Sequence, residues 1–524
     1  VNIRRTFVKS ARASLALLLT AIIVSGGSTA ALAADYVPIS GAGSSWSANA
    51  IDQWRRNVNQ YGMSVNYAST GSVDGRNQFK GGTVDFGVSE TPYGLTDNGV
   101  LDELPTRPFV YLPIVAGGTA FMYNLTSGGA PITNLRLSGD VVTKMFTGVI
   151  TKWNDPLIKA DNPSLTLPDR AVVPVVRSDG SGSTAQFTLW MATKYKSLWD
   201  SYCDKVGRNE CGQTSFFPTT SGMVAQPNSQ GVSGYVAQKA NEGTITYVEY
   251  SYALKTGFPV AKVLNDAGYY VEPTASNVAV GLLGAKINQD KASTMYLTQE
   301  LGGVYNNKDA RAYPLSSYSY MIVPTTEQAS FTAAKGGTLS AFANYFLCEG
   351  QQQAEVLGYS PLPVNLVKVG LEQVAKIPGA DVTTINIAKC NNPTFSASGE
   401  NTLAKNAPMP DPCDKKGAEQ CTEGTGGAAA TSTGGTVSET TGTVGTTGTT
   451  AAGGAMGVTM GTGPTQCDPD TGTCSSIKAV PVATTSMGWA ATNWIILSVI
   501  IVLVLVVVVP PVLVTYAARK VRSS

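Results

Sequence analysis

Residues 175–190 read VVRSDGSGSTAQFTLW: an apolar run, then seven polar or glycine positions, then a stretch that reads as a helix. Those seven positions are Arg177, Ser178, Asp179, Gly180, Ser181, Gly182 and Ser183. They gather hydrogen-bond donors at one turn in a chain of which only 14% is charged. Upstream, GAGSSWSANA (41–50) leads into residues 48–61, where Ile51, Trp54, Val58 and Tyr61 at i, i+3, i+7 and i+10 predict one helical face. ASTGSVDGRNQF (68–79) is the third such place, with small and hydroxyl residues before a helical stretch. Strand-like runs such as VVPVV (172–176) and TYVEYSYA (246–253) alternate with helical stretches, which gives an α/β class.

A helix start presents unpaired backbone N–H groups and a partial positive charge, which suits an anion. Glycine lets an oxyanion approach the backbone, and serine adds donors. Any one of these turns could equally be a simple helix cap. Three of them, with an arginine inside one, read as a donor-rich cage. Arg177 offers forked N–H groups, and Asp179 two residues on can hold its guanidinium; the alternative is a surface ion pair of small worth. Glu90, in VDFGVSETP (84–92), follows an apolar strand at the end where ligands sit in open α/β sheets. A carboxylate beside an anion makes sense if the anion carries a proton. Hydrogen phosphate can donate to it and sulfate cannot, so Glu90 is a candidate selector; otherwise it is a surface or capping acid.

The chain has no histidine, which removes Ser-His-Asp and Cys-His nucleophiles and His-based metal motifs. No G-x-x-x-x-G-K-[ST] occurs, and no CxxC. With 37 basic and 36 acidic residues, the net charge of +1 predicts no bulk attraction to nucleic acid. Neither an enzyme, nor a metal site, nor a cofactor is expected.

Both ends are apolar. Arg4, Arg5, Lys9 and Arg12, then Leu15 to Val24, then Ala31-Leu32-Ala33 read as an export signal over residues 1–33. Residues 489–516 read as a transmembrane helix, uncharged from Trp494 to Val514 and carrying Pro510 and Pro511. Arg519, Lys520 and Arg522 then place the 517–524 tail in the cytoplasm and the rest outside. The expectation is a single-pass protein of the cell membrane with an extracellular binding domain. Residues 400–488, rich in Gly, Thr and Ala, read as a flexible linker. The eight cysteines fall as neighbours Cys203/Cys211, Cys348/Cys390, Cys413/Cys421 and Cys467/Cys474, which suits disulfides outside the cell. Pairing by adjacency is one of about 105 connectivities.

At GAGSSWSANAIDQW, VNYASTGSVDG, VDFGVSETP, FTGVITKWNDP, VVRSDGSGST and ITYVEYSYA the chain resembles the periplasmic phosphate-binding proteins of ABC-type phosphate importers, over roughly residues 37–375. The resemblance implies a two-lobed type II periplasmic-binding-protein fold with two crossover strands. Lobe one would be residues 35–116 plus 315–395 and lobe two 117–314, with LPIVAGGTAFMYN and AYPLSSYSYMIVP crossing between them. It also implies that Ser45 gives a hydroxyl and Trp46 a backbone N–H, that Ser72 caps the second helix, and that Arg177 binds the anion and pairs with Asp179. Ser181, Gly182 and Ser183 would form the third donor group. Glu90 stands where the family usually has aspartate, one methylene shorter, and Val73 and Asp74 stand where small residues are usual. The implied partners are inorganic phosphate, the permease subunits of the importer, and the membrane through the C-terminal helix, with the protein a monomer. The alternatives are a binder of another oxyanion, or a surface receptor or interaction protein on the same fold.

Overall fold

The computed structural model describes residues 36–208, 212–328, 330–396 and 400–430, with two short strands at Thr465–Cys467 and Cys474–Ser476. Strand β1 (Ile39–Gly43) turns through serines into α1 (Ala48–Asn59), β2 (Val65–Ala68) into α2 (Ser72–Lys80), and β3 (Phe86–Ser89) follows. β1 lies between β2 and β3, parallel to both. Parallel strands covered on both faces need apolar side chains on both, and β3 is buried at all four positions.

The long strand β4 (Phe109–Tyr123) comes next, then β5 (Arg136–Leu137) and β6 (Val173–Arg177), which turns into α3 (Gly182–Lys194). β7 (Val224–Gln226) leads to α4 (Asn228–Val236). β8 (Thr244–Glu249), β9 (Val260–Leu264), β10 (Tyr270–Val271) and β11 (Ser316–Pro324) complete an eleven-stranded sheet. Its main path runs β7-β6-β8-β4-β11-β3-β1-β2, with β5, β9 and β10 beside it. β4 pairs with β11 from Phe109 to Gly118 and with β8 from Thr119 onward. These are the two strands expected to cross, and they join the half of the sheet that holds β1–β3 to the half that holds β6–β8.

α1 buries Ile51, Trp54 and Val58 as its spacing predicts. Trp54 stacks on Phe346 with ring centroids 5.4 Å apart and donates to the Gly350 carbonyl at 2.9 Å. Tyr61 departs from the expected face. The helix ends at Asn59 and Gly62 turns the chain with φ +83, so Tyr61 is 49% exposed. Behind α3, Phe187 meets Phe146 and Tyr247, each with ring centroids at 5.0 Å, which fixes α3 against β8.

The expected linker is corrected at its start. Residues 400–430 lie against the half of the sheet that holds β5 and β9, as a strap. Arg311 donates to the carbonyls of Ala404 and Ala407 at 3.3 and 3.1 Å. Lys262 pairs with Asp414 at 2.7 Å, and buried Arg136 donates to the Cys413 carbonyl. Asn134 donates to the Cys421 carbonyl at 2.6 Å, and the Thr425 N–H to the Thr133 carbonyl at 2.9 Å. Composition missed this because a strap held by its own carbonyls and small residues needs no large apolar side chains.

Cys348–Cys390 and Cys413–Cys421 are disulfides, as adjacency suggested. Cys203 is also disulfide-bonded, and Cys211 lies outside the described residues. Residues 439–524 form a separate unit, described only by an antiparallel pair of strands that sets Cys467 opposite Cys474. The export signal at 1–33, the span at 489–516 and the tail at 517–524 lie outside the described residues. Among the described residues no helix is long and apolar enough to cross a membrane.

Candidate functional site

The three donor turns meet, and a fourth joins them. The Gly182 N–H at the start of α3 donates to Ser72 Oγ at the start of α2, at 3.1 Å. The Val73 N–H donates to the Gly180 carbonyl at 3.1 Å. Ser45, in the turn before α1, shares a 2.9 Å hydroxyl contact with Ser229 and accepts the Ser229 N–H at 2.9 Å. Ser229 lies in the first turn of α4, the start that sequence reading missed. Its signal, QPNSQG after a short strand, is the same turn-then-helix device.

This closeness dictates two glycines. A Cβ on Gly182 would lie 2.0 Å from Glu90 Oε2 and 2.6 Å from Ser72 Oγ. Gly71, at φ +103, would put a Cβ 2.4 Å from Asp179 Oδ2. Neither place admits a side chain.

Arg177 is buried at the end of β6. Its Nε donates to Asp179 Oδ1 at 2.7 Å, its Nη2 to Asp179 Oδ2, and its Nη1 to Ser229 Oγ at 3.4 Å. Asp179 also accepts the Asn228 N–H at 2.8 Å, so one carboxylate fixes both the guanidinium and the start of α4. A guanidinium has five N–H donors. Among the described residues three are spoken for, and one on each terminal nitrogen remains. The Arg177 backbone N–H donates to the Tyr247 hydroxyl at 3.2 Å, and that hydroxyl shares a 2.7 Å bond with Thr184. Burial pushes the Tyr247 phenol up to about 12, against the pull of those two bonds, so it stays a neutral prop.

Glu90 is buried just past β3. Its Oε1 accepts from Ser44 at 2.5 Å and Ser319 at 2.7 Å, and its Oε2 from Ser72 at 2.7 Å. The two oxygens of a carboxylate offer about four acceptor sites. Among the described residues three are filled by hydroxyls, and the remaining one is on Oε2, the oxygen that faces Gly182. Ser44 and Ser319 were not foreseen. Ser44 stands beside Ser45 in GAGSSW, whereas Ser319 reaches Glu90 from β11, a partnership that only the sheet order creates.

The other foreseen residues fall as follows. Ser72 is the first residue of α2 rather than its cap, which is Gly71; its hydroxyl is drawn to Glu90 instead. The Trp46 N–H donates to Ser44 Oγ at 3.0 Å, and so reaches Glu90 through a serine rather than standing free. Ser181 caps α3, accepting from Thr184 N–H at 3.2 Å. Ser183 is buried, and its hydroxyl has no hydrogen-bond partner among the described residues. Asp74 faces solvent and accepts from Gln78 on its own helix. Close by, Glu249 is fully buried where β8 ends. Its Oε2 accepts the Ser251 N–H at 2.8 Å, and burial holds its carboxyl well above the usual range. Among the described residues no cluster of His, Cys, Asp and Glu could hold a metal ion.

Against known proteins, the PBP superfamily domain matches residues 27–349. The phosphate-binding protein PstS of Xylella fastidiosa strain 9a5c is 34% identical over 353 residues, 67% of this chain and 89% of that protein. Its counterpart in strain Temecula1 is 34% identical over 333 residues, 63% and 83% of the two chains. The phosphate-binding protein PstS of Pasteurella multocida strain Pm70 is 30% identical over 361 residues, 68% and 96%. The chain belongs to the PBP superfamily, among its periplasmic phosphate-binding proteins.

Proposed function

We propose that this phosphate-binding-protein family member clasps inorganic phosphate between its two halves and delivers it to an ABC-type importer. The observation that carries the reading is the one acceptor site left on Glu90 Oε2 beside the start of α3. Arg177, with one N–H left on each terminal nitrogen, is held in the same cluster by Asp179 and Ser229. Donors from both halves would close on one anion, and its O–H would donate a hydrogen bond to Glu90. Ser183, a buried hydroxyl without a partner among the described residues, is a further donor for it. Sulfate at neutral pH has no proton, so a lone pair would face a lone pair, at a cost of about 1–3 kcal/mol or more. Closure by hinge motion, with no bond made or broken, is the mechanism.

The lobe boundaries at 116/117 and 314/315 are part of the proposal. They are supported by the change of β4's partner between Gly118 and Thr119, and by β11 beginning at Ser316. A C-terminal membrane helix at 489–516, with the binding domain outside the cell, rests on the apolar sequence alone. We take the permease subunits as the protein partner and the chain as a monomer.

Isothermal titration of the full chain with inorganic phosphate tests the reading. One phosphate per chain is expected, together with a smaller radius of gyration when it is bound. A folded protein that takes up no phosphate would leave the other oxyanions and the interaction-protein alternative in its place.

A further inference from the structure

We infer that Asp97 is a latch that holds the two halves closed and sets how long the bound anion stays. Resting on the phosphate-clasp reading, it adds a positioning residue that no ligand atom need touch.

Asp97 sits on a short hairpin, Thr96–Asp97 paired with Val100–Leu101, turned by Asn98 and Gly99 at φ +51 and +78. The hairpin is thinly packed, with Val100 and Leu101 70% and 56% exposed. Its base is nevertheless held. The Asp102 N–H donates to the Leu95 carbonyl at 2.9 Å. Asp102 also receives Arg76 Nε at 2.7 Å. Arg76 is buried on α2, where its Nη1 also donates to Ser89 and Thr91 at 2.8 and 2.5 Å. The hairpin therefore moves with α2, the helix that begins at Ser72.

Its far side reaches the other half. Asp97 Oδ2 accepts the Ser215 N–H at 2.7 Å, and Oδ1 lies 3.7 Å from Arg208 Nη1. The Ser215 carbonyl in turn accepts the Ser181 N–H at 2.9 Å, and Ser181 is the cap of α3. One residue, Ser215, thus joins the Asp97 carboxylate to the cap of α3. The chain of contacts runs from α2 through Arg76, Asp102, the hairpin, Asp97 and Ser215 to α3.

Other bonds cross the cleft, but those of Ser45, Ser72 and Val73 are neutral and lie at the donor ring itself. Asp97 is charged and stands outside it. The contact forms only when the halves meet; when they part, the carboxylate is hydrated instead. A group that interacts only in the closed state slows release and leaves capture unchanged.

Stopped-flow tryptophan fluorescence of the full chain with inorganic phosphate gives both rates. With Asp97→Ala, dissociation is expected to speed up about tenfold, as for loss of one partly exposed charge-assisted hydrogen bond, while association stays within about twofold. Asp97→Asn keeps an acceptor for the Ser215 N–H without the charge and should fall between. Arg208→Ala should do less, and its effect should vanish at high salt. The unfolding temperature of phosphate-free Asp97→Ala should match the parent. Unchanged dissociation in a variant that still binds phosphate overturns the latch alone. Slower association with a lowered unfolding temperature overturns it too, since that marks a structural role. A parent protein that binds no phosphate removes the clasp reading, and the latch with it.

Discussion

The cleft and the strap both bury polar groups, with opposite consequences. At the donor ring of the cleft, inside the Asp97 contact, the halves meet through hydroxyls and backbone: Ser45 with Ser229, Ser72 with Gly182, Val73 with Gly180. Neutral bonds of this kind contribute only about 0.5–1.5 kcal/mol each, because water replaces them when they part. The strap is held by Lys262–Asp414, by Arg136 on the Cys413 carbonyl and by Glu272 accepting the Gly426 N–H at 2.6 Å. A buried charge that loses its partner has no such substitute. One polar surface is built to open and the other to stay shut, so their substitutions should have separate effects.

The largest separation is expected for Arg177→Ala. Loss of two charge-assisted donors should weaken phosphate binding by about 100-fold or more in titration. Comparable loss of binding from a strap substitution would erase the distinction. Asp414→Ala should do the reverse. It leaves the partly buried Lys262 without this carboxylate, and denaturant unfolding should read about 2 kcal/mol of lost stability, with phosphate affinity within about twofold. Removing the Cys413–Cys421 bridge by a double Cys→Ser change should cost about 2 kcal/mol, again without effect on affinity.

The smallest effect sharpens the border between the two regions, at Glu249. Its folded-state pKa lies above the unfolded value, so the folded state binds the extra proton and stability falls as pH rises from about 4.3 toward the raised value. Glu249→Gln removes that loss. Calorimetry should show the variant gaining on the parent at pH 8 and equal to it at pH 4; a gain of the same size at both would mean that charge is not the cause.

Much of the cleft was legible because its logic is local. Arg177 and Asp179 stand two residues apart, and each donor turn is written as glycine and serine ahead of an apolar helix face. Ser44, Ser229 and Ser319 were harder. Serine is common in turns and strands, and only the sheet order brings β11 and α4 to Glu90 and Ser45. Ser72 was misread as a cap because capping is a local property, whereas Glu90 and Gly182 claim its hydroxyl from elsewhere in the fold. Tyr61 continued a helical spacing past the end of the helix at Asn59. The strap was read as linker because its partners, among them Arg136, Lys262 and Arg311, lie more than ninety residues upstream. Composition carries no trace of such pairings.

The central claim is that Glu90 keeps one acceptor site for a proton carried by the ligand. Titrating the parent protein and Glu90→Gln with phosphate and with sulfate at pH 7.5 tests it directly. The parent should bind phosphate about 100-fold or more tighter than sulfate, and the amide, which can donate to either anion, should narrow that gap. Equal affinity of the parent for both anions, or a gap left untouched by the amide, would contradict it.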